Sequence, residues 1–173
     1  MVVSGIPRLV VRPSNKHLAT QIVEAKPDGD RVLASAHSSE LKEFGWKGSC
    51  GNMPAAYLTG LLAGRRAKAA GVTKTILDIG LHARGAGSRI FAAAKGALDA
   101  GLAIPHDKSA MPIQERIEGK HVVSYSKQLS SEPEVYKKRF AAYLKHKLKP
   151  EDLTEHFGQV QAKITASVAE GRK

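Results

Sequence analysis

The loop Ile79-Gly-Leu-His-Ala-Arg-Gly-Ala-Gly-Ser88 carries the residue types most suggestive of chemistry, with glycines at 80, 85 and 87 between an apolar run and a helix-forming run. A nucleotide-cradling loop needs Gly, four residues, then Gly-Lys-Ser/Thr. Gly80 and Gly85 have that separation, but Ala86 and Gly87 stand in the Lys and Ser/Thr places. A dinucleotide loop fails as well, because Ile90 sits where its third glycine belongs. What remains is either an anion- or RNA-phosphate-binding loop or an ordinary strand–helix loop with solvated cations. For the first, glycine N–H groups can approach an anion at a helix N-terminus, with His82, Arg84 and Arg89 beside it.

Other reaction chemistry finds less support. The histidines at 17, 37, 82, 106, 121, 146 and 156 include no i, i+4 pair, and Cys50 has no second cysteine for a structural metal site. No Gly-x-Ser-x-Gly nucleophile signature is present. A metal-dependent nuclease needs acids converging from its strands, yet the strand-forming runs carry Arg8, Arg12 and Arg31, with Asp78 the one clear strand acid. The expectation is a protein that takes no metal and carries neither nucleophilic nor metal-dependent catalysis, with no cofactor.

A second cluster is more promising. Arg12-Pro-Ser-Asn-Lys-His17 packs Arg12, Ser14, Asn15, Lys16 and His17 into one turn. Such residues give charge-assisted bonds to phosphate and neutral donors for 2′-hydroxyls and base edges. The plain alternative is a polar hairpin tip, since turns favour Pro, Ser and Asn anyway. The added Arg, Lys and His tip the balance toward RNA.

The elements that must position these residues follow from periodicity. Arg8–Arg12, Leu18–Glu24 and Arg31–His37 read as an antiparallel three-strand meander with turns at Pro13–His17 and Lys26–Asp30. Residues 38–52 connect it to a helix capped by Asn52, with Pro54 in its first turn, a stripe of Tyr57, Leu58, Leu61 and Leu62, and Gly71 as its stop. Thr75–Ile79 is a short buried-type strand. Ser88 can cap a second helix facing inward through Ile90, Phe91, Ala94, Ala97 and Leu98 and ending at Gly101. The order β-β-β-α-β-α predicts an α/β fold with a mixed sheet. Residues 102–130 read as irregular, broken by Pro105 and Pro112. Two amphipathic helices then follow, marked by Tyr136, Phe140, Tyr143 and Leu144 and by Leu153, Phe157, Val160, Ile164 and Val168. The division expected is an RNA-binding α/β core over 1–106 and a helical extension over 107–173, within one structural unit.

Composition narrows the partner. The net charge is +11 over 173 residues, and it is spread rather than gathered in a tail. Cations interleaved with core-forming residues point to a folded domain with positive faces, whose commonest soluble partner is a nucleic-acid backbone; the plain alternative is a basic globule with solvated lysine faces. Aromatics are only 5%, which is poor material for stacking single-stranded bases and favours recognition of a folded RNA. A lone Cys50 suggests a reducing compartment. With no apolar run of transmembrane length and no signal-peptide pattern in Met1–Pro7, a cytoplasmic protein without a membrane partner is expected.

Several separated stretches resemble one family. Pro7-Arg-Leu-Val-Val-Arg-Pro-Ser-Asn-Lys-His17 is similar to the opening hairpin of the 5S-rRNA-binding L-eighteen family of the large ribosomal subunit. Leu33-Ala-Ser-Ala-His-Ser-Ser39, Gly51-Asn-Met-Pro-Ala-Ala-Tyr-Leu-Thr-Gly-Leu-Leu-Ala-Gly64 and Gly101-Leu-Ala-Ile-Pro-His106 resemble its archaeal and eukaryotic-type branch. The resemblance runs from about Pro7 to about Gly158. It implies a non-catalytic protein that attaches 5S rRNA to large-subunit rRNA in the central protuberance, beside neighbouring ribosomal proteins. It places RNA contacts at Arg12, Ser14, Asn15, Lys16 and His17; Arg8 joins the RNA-binding candidates from the residue reading, as a cation in the same hairpin. More loosely, it places them at His37, Ser38 and Ser39 and at His82, Arg84, Ser88 and Arg89. A phosphate-binding enzyme on Gly80–Ser88 and a non-ribosomal RNA-binding module are the competing readings.

Overall fold

The computed structural model describes residues 4–83 and 85–169. Strands β1 (Arg8–Pro13), β2 (Leu18–Glu24) and β3 (Arg31–His37) form the expected meander. Helix α1 (Met53–Ala69), strand β4 (Ile76–Asp78) and helix α2 (Arg89–Asp99) complete the β-β-β-α-β-α order. The sheet order is β3-β2-β1-β4, with β4 running parallel to β1 and the other pairs antiparallel. The mixed sheet predicted from the sequence is the one observed.

Alternation along the strands decides which face is covered. Leu9, Val11, Leu18, Thr20, Ile22, Ala34 and Ala36 are buried, and they share the face on which α1 and α2 pack. Arg8, Val10 and Arg12 point to the opposite face, beside Asp78 of β4. The β4 strand is shorter than Thr75–Ile79 and only half-buried, since it closes an edge of the sheet.

Helix α1 is buried on far more than a stripe, because the sheet, α2 and the C-terminal helix enclose it on different sides. Its cap is the one expected: the Asn52 side chain accepts the Ala55 N–H at 3.0 Å. The α1–α2 contact depends on small residues. A Cβ built at Gly96 would lie 2.1 Å from the Tyr57 carbonyl oxygen, and one at Gly60 would lie 1.9 Å from that of Ala93. Accordingly, α2 buries Ala92, Ala93 and Gly96 with Ile90, Ala94 and Ala97, while Phe91 and Leu98 are only half-buried.

Two expectations require correction. Residues 102–130 are not irregular throughout, because α3 (Gln114–Ile117) and α4 (Lys120–Gln128) lie within them. Gly119, at φ +83°, turns the corner between the two helices and packs against Leu153 and Pro54. The amphipathic segment around Phe140 is not one helix but two, α5 (Pro133–Arg139) and α6 (Ala141–Lys145). Phe140 itself, at φ −102° and ψ +17°, leaves helical geometry so that its ring can enter an aromatic group with Tyr125, Tyr136 and Tyr143. Helix α7 (Leu153–Ala169) then returns to the core through buried Leu153, Phe157, Val160 and Ile164. The side chain of Val168 lies outside the described residues.

The docking of α7 has a polar component. Tyr57 of α1 donates its hydroxyl to Asp99 of α2 at 2.8 Å and accepts from the Gln161 amide of α7 at 3.2 Å. Burial, followed by the bond to and charge of Asp99, pushes the Tyr57 phenol well above its ordinary pKa.

Candidate nucleic-acid interface

The hairpin tip is built by Ser14. Its hydroxyl accepts the His17 N–H at 3.0 Å and donates to the His17 carbonyl at 3.1 Å, while its own N–H reaches that carbonyl at 2.8 Å. These bonds close the turn and leave Asn15 and Lys16 exposed at its apex. A second loop supports the tip from behind: Gly51 lies so close that an added Cβ would meet the Asn15 carbonyl oxygen at 3.0 Å.

Histidines 17 and 37 stack with ring centroids 5.1 Å apart. Ser38 is wholly buried. Its hydroxyl accepts the Leu18 N–H at 3.0 Å and meets His17 Nδ1 at 3.3 Å. That atom is therefore occupied within the protein, and Ser38 acts by holding the tip and His17. Ser39 plays the matching part for His37, with Oγ 2.6 Å and N 3.3 Å from its Nδ1. Because His37 Nδ1 accepts the Ser39 N–H, the bonding pattern assigns the ring proton of its neutral form to Nε2.

The arginines divide into different tasks. Arg8 pairs with Asp30 and with Asp78, the latter at 3.3 Å, and its side chain is 20% exposed. Arg12 meets Asp78 at 3.1 Å and also donates to the Asp78 carbonyl at 3.1 Å, yet its side chain remains 44% exposed. Burial acts to raise the pKa of Asp78. The Gly80 N–H, the bond to and charge of Arg12, and the charge of Arg8 outweigh it and hold the carboxyl below its usual value. The two arginines thus stand beside a fixed carboxylate on the open sheet face, which lowers their net positive field.

Arg89 has a role that the sequence did not reveal. From the first turn of α2 its Nη1 donates to the Ser14 carbonyl at 2.8 Å and to the Gly51 carbonyl at 2.9 Å. One guanidinium thereby links α2, the hairpin tip and the loop before α1. Only the long-range fold brings those carbonyls to it, so no local motif announces the contact. Tyr143 of α6 reaches the same neighbourhood, its hydroxyl accepting from the Asn52 side-chain amide at 3.2 Å.

The 79–88 loop is less available as an anion cradle than its glycines suggest. Gly80 N–H donates to the Asp78 carboxylate at 2.9 Å, Gly87 N–H to the Ala110 carbonyl at 2.9 Å and Ser88 N–H to the Gly85 carbonyl at 3.2 Å. Ser88 occupies the N-cap position of α2, but its hydroxyl makes no capping bond and is buried without a partner. The expected Ser88 cap is therefore not formed. His82 is exposed, and Arg84 lies outside the described residues. No cluster of three or more His, Cys, Asp or Glu side chains suited to a metal occurs among the described residues.

The class these features define is an α/β protein with a small mixed sheet and a polar, cation-bearing end. Comparison with known proteins makes the class particular. Residues 6–74 and 67–107 match the sequence model of the family described as ribosomal large subunit proteins 60S L5 and 50S L18. The large ribosomal subunit protein uL18 of Caldivirga maquilingensis is 48% identical over 171 residues, covering 98% of this chain and 83% of the relative. That of Thermofilum pendens is 52% identical over 165 residues, covering 95% of this chain and 84% of the relative.

The chain belongs to the uL18 family of large-subunit ribosomal proteins, in its archaeal type. It is a structural protein of the ribosome rather than an enzyme, with ribosomal RNA and ribosomal proteins as its partners. No helix among the described residues is long and apolar enough to cross a membrane.

Proposed function

We propose that this protein binds 5S rRNA and helps to attach it to large-subunit rRNA in the central protuberance. The observation that carries this reading is the presentation of Asn15 and Lys16 at the apex of a turn tied to the sheet, to Gly51 and to α2. A tip held in advance loses little conformational freedom when it meets a rigid, folded RNA. Lys16 supplies charge to phosphate, Asn15 supplies neutral donors, the stacked histidines present their rings beside it, and Arg12 contributes the exposed part of its guanidinium. Ser14, Ser38, Ser39 and Arg89 serve chiefly to position these groups.

The test is equilibrium binding of the full chain to 5S rRNA, with transfer RNA as the competitor. Binding should favour 5S rRNA and weaken linearly with log salt, by roughly 0.7–0.9 in slope per neutralised phosphate. Asn15→Ala with Lys16→Ala should weaken it at least tenfold while the circular-dichroism spectrum stays unchanged. Equal affinity for transfer RNA, or full affinity in the tip variant, would overturn the reading.

A further inference from the structure

The helices α5 and α6 bear a concentration of charge that neither the fold nor the hairpin requires. Between Val135 and Lys149 the sequence contains Lys137, Lys138, Arg139, Lys145, Lys147 and Lys149 and no acid. All six side chains are exposed. None takes part in an ion pair among the described residues, whereas Arg8, Arg12, Arg66, Lys95 and Lys120 all do. The nearest acid bonded to these helices, Glu151, accepts from the Tyr136 hydroxyl at 3.0 Å, and of the six cations only Lys149 is close enough for its charge to act on that carboxyl.

Backbone geometry supplies an independent observation. Lys147 has φ +54° and is the one non-glycine residue with positive φ among those described. It occupies the position after the end of α6 where a left-handed residue closes the helix. Leu148 N–H returns to the Tyr143 carbonyl at 3.0 Å, and Lys147 N–H returns to that of Leu144 at 3.0 Å. Glycine fills this position without steric penalty in most helices. A lysine there retains a cation at the expense of backbone strain, the kind of outlier that marks functional surfaces.

Position completes the case. Tyr143 bonds to Asn52, the neighbour of Gly51, and Gly51 packs against the Asn15–Lys16 backbone. Through Tyr143, α6 is thereby tied to the loop that supports the hairpin tip. We propose that α5 and α6 continue the RNA interface, with Lys137, Lys138, Arg139, Lys145, Lys147 and Lys149 gripping the phosphodiester backbone of the same RNA that the tip engages. The choice of RNA rests on the proposed function and on charge complementarity. An acidic protein surface is the competing occupant.

The experiment measures the full chain against 5S rRNA and transfer RNA over a range of salt. Lys145→Gln, Lys147→Gly and Lys149→Gln together should weaken 5S rRNA binding at least tenfold and reduce the log–log salt slope by about 2–3, the share of three phosphates. Lys147→Gly alone should bind less tightly and yet melt higher, by roughly 2–4 °C, because the strained position is relieved. A purely structural lysine would not separate the two readouts in opposite directions. Unchanged RNA affinity and slope would overturn the proposal, as would preferential loss of binding to poly-glutamate with RNA binding intact. If the unmodified chain does not prefer 5S rRNA but the helix variants still lose affinity for transfer RNA, the proposed function fails and this surface stands.

Discussion

Arg89 offers the sharpest separation between a residue that touches RNA and one that shapes the surface touching it. Arg89→Met keeps the aliphatic stem and removes both donated bonds, to Ser14 and to Gly51. A hydrogen bond from a charged donor contributes about 1.5–3 kcal/mol. The Ser14 carbonyl lies at an exposed turn where water can replace the lost partner, so the pair together should contribute about 2–3 kcal/mol, below the simple sum. That range predicts a fall in melting temperature of roughly 4–12 °C for a chain of this size. If the loss is local to the tip, amide exchange at Asn15–His17 should accelerate by about 30- to 150-fold, using 1.4 kcal/mol per factor of ten. RNA affinity falls too, and the same factor caps the fall, because lost preorganisation cannot weaken binding by more than the ordering free energy. Filter binding across salt concentrations then decides the role. A positioning Arg89 leaves the salt slope unchanged, whereas a phosphate-contacting one lowers it by about 0.7–0.9. A lowered slope with unaltered exchange at the tip would refute the bracket argument.

Three further expectations concern the scaffold. Burial, with Lys47 and Lys163, holds His156 below its ordinary imidazole pKa, and its Nε2 accepts the Lys47 N–H at 3.0 Å beside Trp46. A depressed folded pKa means that this stabilisation is complete above about pH 6.5 and is lost as pH falls toward the folded value. Melting temperature should therefore drop between pH 7 and pH 5.5, and His156→Gln should flatten that drop, so an unchanged acid slope in the variant would remove His156 as its cause. For the helix contact, the Cβ added by Gly96→Ala would lie 2.1 Å from the Tyr57 carbonyl oxygen and must push α1 away, and overpacking of about 1–3 kcal/mol should exceed the helix-propensity gain of about 1 kcal/mol. Gly158→Ala in α7, with nothing within 4 Å, should stabilise by up to about 1 kcal/mol in the same denaturation assay, and a stabilised Gly96→Ala would show that the helices separate freely.

Local signals carried much of this protein. The period-two runs at Arg8–Arg12, Leu18–Glu24 and Arg31–His37, the Pro-Asp-Gly turn and the Asn52 cap each reflect interactions within a few residues, and each appears where the sequence placed it. The failed nucleotide motifs at Gly80–Ser88 were equally legible, because a missing lysine or hydroxyl is visible without a structure. The α3–α4 corner was not legible, since Pro105 and Pro112 suggested disruption while Gly119 supplies a sharp turn that only packing against Leu153 and Pro54 defines.

Tertiary structure alone decided which cations are free. In the sequence Arg8, Arg12, Arg89 and Lys147 are simply basic residues. In the fold, β4 beside β1 sets Asp78 against two of them, the arrival of α2 at the hairpin turns Arg89 into a bracket, and the closure of α6 strains Lys147. Charge is fixed by residue type, but the field it presents depends on neighbours distant in the chain. The sequence therefore determined that this protein carries positive charge, and the folded chain determined where that charge remains available.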